Sequence, residues 1–147
     1  MVNYTPEDLL DHHAVSAVIK NKEGKILMQN HVKFGFWTIP IGKAKPGQTP
    51  EDGIITEIFE ECNLKVNELK QVAYKEISYN RKGKDVKVFT HSFEVLKYSG
   101  KLKNKEPNKH GEQKFLDLNE IKKIPYLSDA TLMYLETLGI KRSARIS

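Results

Sequence analysis

Glu57, Glu60 and Glu61 stand at i, i+3 and i+4 within residues 42–64 (GKAKPGQTPEDGIITEIFEECNL), which also hold Glu51 and Asp52. Between residues 46 and 64 there is no Lys or Arg. At roughly 100° per residue the three glutamates fall on one helix face, with Ile55, Ile58, Phe59 and Cys62 on another. Carboxylates so spaced repel by a few tenths of a kcal/mol per pair, so a bare helix gains nothing from them. A divalent cation reverses that sign, and all-oxygen ligands suit Mg²⁺ or Mn²⁺. For an isolated E-x-x-E-E, a plain solvated acidic face is the competing reading.

The helix that must carry these side chains has its own signals. Thr49 is a good N-cap, Pro50 suits the first turn, and Glu51 and Asp52 meet the positive end of the dipole. Asn63 tolerates the left-handed backbone that ends a helix.

In register, the stretch resembles the Nudix box, G-x5-E-x7-R-E-U-x-E-E-x-G-U, where U is bulky and aliphatic. Gly42, Glu57, Ile58, Glu60, Glu61 and Leu64 match, and Trp37-Thr38-Ile39-Pro40 resembles the strand leading into the box. Three positions depart: Gln48 for the first Glu, Thr56 for the Arg and Asn63 for the second Gly. The resemblance implies a mixed β-sheet sandwiched between helices, an α/β (α+β) Nudix fold, over one domain with its core at residues 12–139. It also implies Mg²⁺-dependent hydrolysis of a phosphoanhydride in a nucleoside diphosphate linked to another group, with Mn²⁺ as the alternative ion. Glu57, Glu60 and Glu61 would be metal ligands, and a backbone carbonyl of Ile41 or Gly42 would join them.

The resemblance also implies, as in several relatives, a further Glu in a loop past the central hairpin as ligand or base. Glu112 is the first candidate here, ahead of Glu106 and Glu94. Lys43 and Lys45 lie beside the box and are candidates for phosphate contact, as point charges rather than bidentate forks. Phe36 and Tyr79, with Phe34 and Phe89, are candidates to stack a base. In the family the Arg pairs with the following Glu, so Thr56 leaves Glu57 freer, at about 1–3 kcal/mol for a missing charge-assisted bond. Intact ligands with two lost charges point to an active but atypical enzyme, with a weakly active or inactive nucleotide- or RNA-binding module as the rival. The absence of a long N-terminal domain favours a small substrate, a (deoxy)nucleoside triphosphate or a dinucleoside polyphosphate.

The whole chain bounds these readings. Its 147 residues are 39% hydrophobic and 29% charged, as expected of one globular domain with its own core. One cysteine, Cys62, excludes an internal disulfide framework and reads as a small buried hydrophobe. No apolar run reaches membrane-spanning length and MVNYTPEDLLD has no signal-peptide core, so no membrane partner and a cytoplasmic location are expected. The net charge is +5 although residues 46–64 carry five acids and no Lys or Arg, so the rest of the chain carries a net +10. A basic body around an acidic notch steers phosphates inward. A nucleotide is therefore the favoured partner, with nucleic acid open but less favoured, and nothing fixes the oligomeric state.

In chain order, residues 13–20 and 25–31 read as paired strands around an Asn21–Gly24 turn. Residues 69–79 and 85–98 form a hairpin with a basic tip at Arg81, Lys82 and Lys84. Alternation suggests that both faces are covered, one by the acidic helix and the other by a cleft or second helix. A polar loop spans 99–114, a short strand 114–118 and a short helix 119–124. A last helix runs from the Ser128 cap with Leu132, Leu135 and Leu138 inward, and residues 141–147 read as a frayed basic tail.

Overall fold

A computed structural model describes residues 3–146. The chain runs from a 3-10 turn at Glu7–Leu9 into β1 (His12–Val18), β2 (Ile26–His31), β3 (Trp37–Thr38), β4 (Ile41–Lys43) and α1 (Pro50–Cys62). The hairpin β5 (Leu64–Arg81) and β6 (Lys84–Gly100) follows, then β7 (His110–Leu116), α2 (Leu118–Lys122) and α3 (Asp129–Thr137). Two sheets result, ordered β4-β1-β6-β5 and β3-β2-β7. The first is mixed, because β1 runs parallel to β6 and antiparallel to β4. This is the expected Nudix α/β architecture.

The two faces of the larger sheet do different jobs. Val15, Ala17, Phe93 and Val95 point into a core closed by Ile54, Ile58 and Cys62 of α1. On the other face Ser16, Val88 and Thr90 line an open cleft. A second core, including Val18, Met28, Ile39, Leu127 and Leu135, ties the smaller sheet to α2 and α3. The hairpin tip is a tight two-residue turn with positive φ at Lys82 (53°) and Gly83 (77°), as the twist of paired strands favours.

Several expectations need correction. The first two strands do not form a ladder. Both edges of β1 are taken by β4 and β6, and β2 crosses to the other sheet, leaving one bridge between Lys20 and Ile26. β7 begins at His110 inside the expected polar loop; on its α1 side Gln113 Nε2 donates to the Glu61 carbonyl, while Glu112 and Lys114 pair on the outer surface. Phe59 is 51% exposed beneath the Lys105 ammonium, 4.1 Å from its ring centre; the seam of α1 is Ile54, Ile58 and Cys62, with Glu61 beside it. Leu138 is 45% exposed past the end of α3. Residues 141–146 are tied back: Leu127 N–H donates to the Ala144 carbonyl, and Arg142 donates to the carbonyls of Lys122 and Ile124. Ser147 lies outside the described residues.

Candidate active site

The helix start and stop come out as read. Thr49 Oγ1 accepts from Asp52 N–H at 3.1 Å, and Asn63 closes α1 at φ 63°. Between these caps the three glutamates sit at three depths. Glu60 is exposed, Glu57 half-buried and Glu61 fully buried, with 0% of its side chain accessible. The fan follows from the 100° step, which turns Glu61 toward Lys109 and His110 at the start of β7 while Glu60 stays outside.

Glu57 is not left loose by the missing Arg. It lies over Gly42 of β4, where an added Cβ would stand 2.3 Å from Glu57 Cγ. The glycine admits the side chain, and the close strand confines it. The two charged positions lost from the box also turn out to be neighbours. Gln48 Nε2 donates to Thr56 Oγ1 at 3.5 Å, and Gln48 Oε1 accepts from Lys45 N–H at 3.0 Å. A neutral pair therefore occupies the place of a charged one.

Glu61 meets residues that sequence reasoning missed. Lys109 Nζ donates to its Oε2 at 2.7 Å, and His110 Nε2 lies 3.9 Å from Oε1. Gln113 Nε2 donates to the Glu61 carbonyl at 3.0 Å and to Gln29 Oε1 at 2.6 Å. Glu61 Oε1 itself is buried without a partner. Burial pushes the Glu61 carboxyl up to about 8; Lys109 opposes this and the Glu57 carboxylate adds to it. Burial also raises Glu57, and the charges of Glu60 and Glu106 add to that rise. His31 and His110 are held down to about 4 by burial first and the Lys109 charge second, so both rings are neutral at pH 7.

Of the three glutamates Glu57 borders a cleft of about 930 Å³, in the size range of ligand sites, whereas Glu60 and Glu61 do not line it. Gly42, Glu57, Lys43, Phe36 and Tyr79 all line it. Phe36 stacks on Phe34 (5.3 Å between centres) and meets Tyr126 edge-on. Tyr79 donates its hydroxyl to Asp129 and lies under the Arg81 guanidinium. Lys43 is bonded to the Asp8 carboxylate rather than free, whereas Lys45 is exposed and off the cleft wall. Glu112 also lies away from the cleft, on the surface of β7 with Lys114 at 3.5 Å. Among acids past the hairpin it is Glu106 whose charge reaches Glu57 and Lys109. The Asp8 and Lys109 contacts bridge distant parts of the chain, so no local spacing announced them.

The acidic helix thus lies beside a basic, aromatic-walled cleft in a two-sheet α/β frame. Residues 10–134 match the family model described as NUDIX domain, and the chain belongs to the Nudix family. Its fold is shared with a MutT Nudix hydrolase from Burkholderia pseudomallei, at 22% identity and TM-score 0.71, covering 86% of this chain and 96% of that one. A C. elegans Ap4A hydrolase gives 22% identity and TM-score 0.61, covering 87% and 96%. In sequence, the RNA pyrophosphohydrolase of Yersinia enterocolitica is 34% identical over 59 residues, 40% of this chain. That match spans about a third (34%) of the relative's length.

Nudix proteins are typically Mg²⁺-dependent. Among the described residues no three His, Cys, Asp or Glu side chains are gathered into a ready ligand set. The residues nevertheless fit a hard cation. Glu61 Oε1 is a buried acceptor without a donor, Glu57 lies beside it, and Gly42 leaves the space that Glu57 needs. Lys109 currently supplies the positive charge there.

Proposed function

We propose that this protein is a Mg²⁺-dependent pyrophosphohydrolase acting on a nucleoside triphosphate or a dinucleoside polyphosphate. The observation that carries the reading is the pair Glu57 and Glu61, with one unsatisfied buried oxygen, beside a cleft whose walls are basic and aromatic. Glu57, Glu60 and Glu61 would hold the ion. When bound, it would neutralise the diphosphate and make a nearby water easier to deprotonate.

The chain's own residues divide the remaining tasks. Lys33, Lys43 and Arg81 offer positive charge to the phosphates, which stabilises charge spread over their oxygens during cleavage. Phe34, Phe36 and Tyr126 offer a stacking wall for a base. Glu106 takes over from Glu112 as the further carboxylate, because the loop before β7 is anchored on α1 through Lys105 N–H to the Glu61 carbonyl (3.1 Å).

A second reading is favoured by the positive charge outside the acidic helix: a module that binds RNA or another polyanion without turnover. The RNA pyrophosphohydrolase relatives add a third substrate, the 5′-polyphosphate end of RNA. A screen of nucleoside triphosphates, dinucleoside polyphosphates, ADP-ribose, capped RNA and 5′-triphosphorylated RNA with Mg²⁺ separates these readings. Release of pyrophosphate or phosphate from a small nucleotide supports the first. Binding that falls steeply with salt, with no hydrolysis of any compound, overturns it in favour of the module.

A further inference from the structure

The cleft already contains an anion, and it belongs to the chain itself. Asp8 is 4% exposed, an unusual state for an aspartate unless it is paired. Its Oδ2 accepts from Lys33 Nζ at 3.1 Å and from Thr5 N–H at 2.8 Å, and its Oδ1 accepts from Lys43 Nζ. The Asp8 backbone carbonyl accepts from Arg81 Nη1 at 2.8 Å. Arg81 is held between Tyr4 (5.2 Å) and Tyr79 (4.8 Å). Thus one short N-terminal segment, Tyr4 to Leu9, engages three cations drawn from three separate parts of the chain.

All of these groups border the same cavity as Gly42, Glu57 and Lys109. Burial alone would raise the Asp8 carboxyl, but the bonds from Lys43, Thr5 and Lys33 outweigh it and hold the group well below the ordinary carboxylate range. It is therefore ionised and fully coordinated by donors. Apart from these bonds the segment is short: its 3-10 turn has three residues, its local side-chain bonds are Asp8 N–H to Thr5 Oγ1 at 3.3 Å and the Thr5 N–H bond to Asp8 already described, and Glu7 and Leu10 are exposed. A single carboxylate spread over two ammonium groups is a weaker partner than a diphosphate, which brings more charge and more acceptor oxygens to the same donors.

We propose that Asp8 is a resident stand-in for substrate phosphate: it occupies a subsite formed by Lys33, Lys43 and Arg81, and a diphosphate group displaces it together with the segment Tyr4 to Leu9. The inference rests on the polyphosphate reading of the cleft and deepens it by assigning the subsite and the segment that guards it. Such an arrangement keeps the lysine charges compensated before substrate arrives. It also lowers affinity for any anion too weak to compete, which favours polyphosphates over single carboxylates or inorganic phosphate.

The test is calorimetric binding of pyrophosphate to the intact protein in metal-free buffer, where no turnover is needed. Asp8→Asn should bind pyrophosphate at least fivefold more tightly than wild type, and adding Lys43→Gln should abolish that gain. Unchanged or weaker binding by folded Asp8→Asn would overturn the proposal, because a carboxylate that merely organises the lysines would be missed. Hydrogen exchange on the wild-type protein decides independently, even where the variant fails to fold. Pyrophosphate should speed exchange at least fivefold at the Asp8, Leu9 and Leu10 amides, which now donate to the Thr5, Pro6 and Glu7 carbonyls. Slowed or unchanged exchange there overturns displacement. Because neither readout involves hydrolysis, a protein that cleaves no nucleotide could still pass both, and an active one could fail both.

Discussion

Replacing Glu61 with Gln should stabilise the metal-free protein while removing its activity. Burial, reinforced by Glu57, pushes the Glu61 carboxyl up to about 8 against an ordinary value of 4.5. The folded-state value is the higher one, so the contribution of Glu61 to stability is complete below about pH 4.5 and is lost as pH rises toward 8. At pH 7 the loss is about 3 kcal/mol, from 1.36 kcal/mol for each pH step above the unfolded value. An amide carries no such penalty, and its oxygen can still accept from Lys109, now 2.7 Å from Oε2. Some of the charge-assisted bond is forfeited, which leaves a net gain of about 1–3 kcal/mol at pH 7. At roughly 2–4 °C per kcal/mol for a chain of this size, the shift is easily measured. The assay is urea unfolding of chelator-treated protein at pH 4.5, 6, 7 and 8. Burial of the neutral His31 and His110 weakens both proteins as pH falls below 6.5, and this common effect cancels in the difference. The advantage of the variant should vanish near pH 4.5 and grow toward pH 8. A variant less stable than wild type at pH 7–8 would refute the reasoning and make the Lys109–Glu61 pair a net support of the fold.

Two further predictions concern the surroundings of Glu57. Gly42→Ala puts a methyl group 2.3 Å from Glu57 Cγ, so Glu57 must leave its place; turnover should fall at least tenfold with unfolding free energy changed by no more than about 2 kcal/mol. Because Gln48 and Thr56 touch, Thr56→Arg alone meets the Gln48 amide and should help little, whereas Gln48→Glu with Thr56→Arg should raise turnover and lower the Mg²⁺ concentration it needs. A folded double variant that is no faster at any Mg²⁺ level would mean that the neutral Gln48–Thr56 contact serves as well as a charged pair.

How much of this was legible from sequence depended on range. The caps of α1 were readable because Thr49, Pro50 and Asn63 act on their own neighbours. The shared face of the glutamates was readable for the same reason, since it follows from helical repeat alone. Their unequal depth was not, because it depends on which sheet the helix packs against. The β1–β2 hairpin failed at long range: β1 found better partners in β4 and β6, 76 residues apart for the pair His12 and Val88. Phe59 shares a helical face with Ile55, Ile58 and Cys62 by repeat alone, yet it is exposed and its partner is the Lys105 ammonium, which the repeat does not show. Glu112 was preferred over Glu106 from strand position, but its side chain points away from α1 while neighbouring Gln113 reaches the Glu61 carbonyl. Asp8 looked like part of an ordinary polar N-terminus, since the lysines and arginine that bury it come from positions 33, 43 and 81.

The proposed hydrolysis depends on a divalent cation held by the α1 carboxylates at the cleft. Its most direct test is steady-state hydrolysis of a nucleoside polyphosphate, titrated with Mg²⁺, for wild type, Glu57→Gln and Glu60→Gln. Wild-type turnover should vanish on chelation and return with Mg²⁺, and each variant should be at least tenfold slower while keeping its fold. Turnover that survives chelation, or that is unchanged in both variants, would contradict the account.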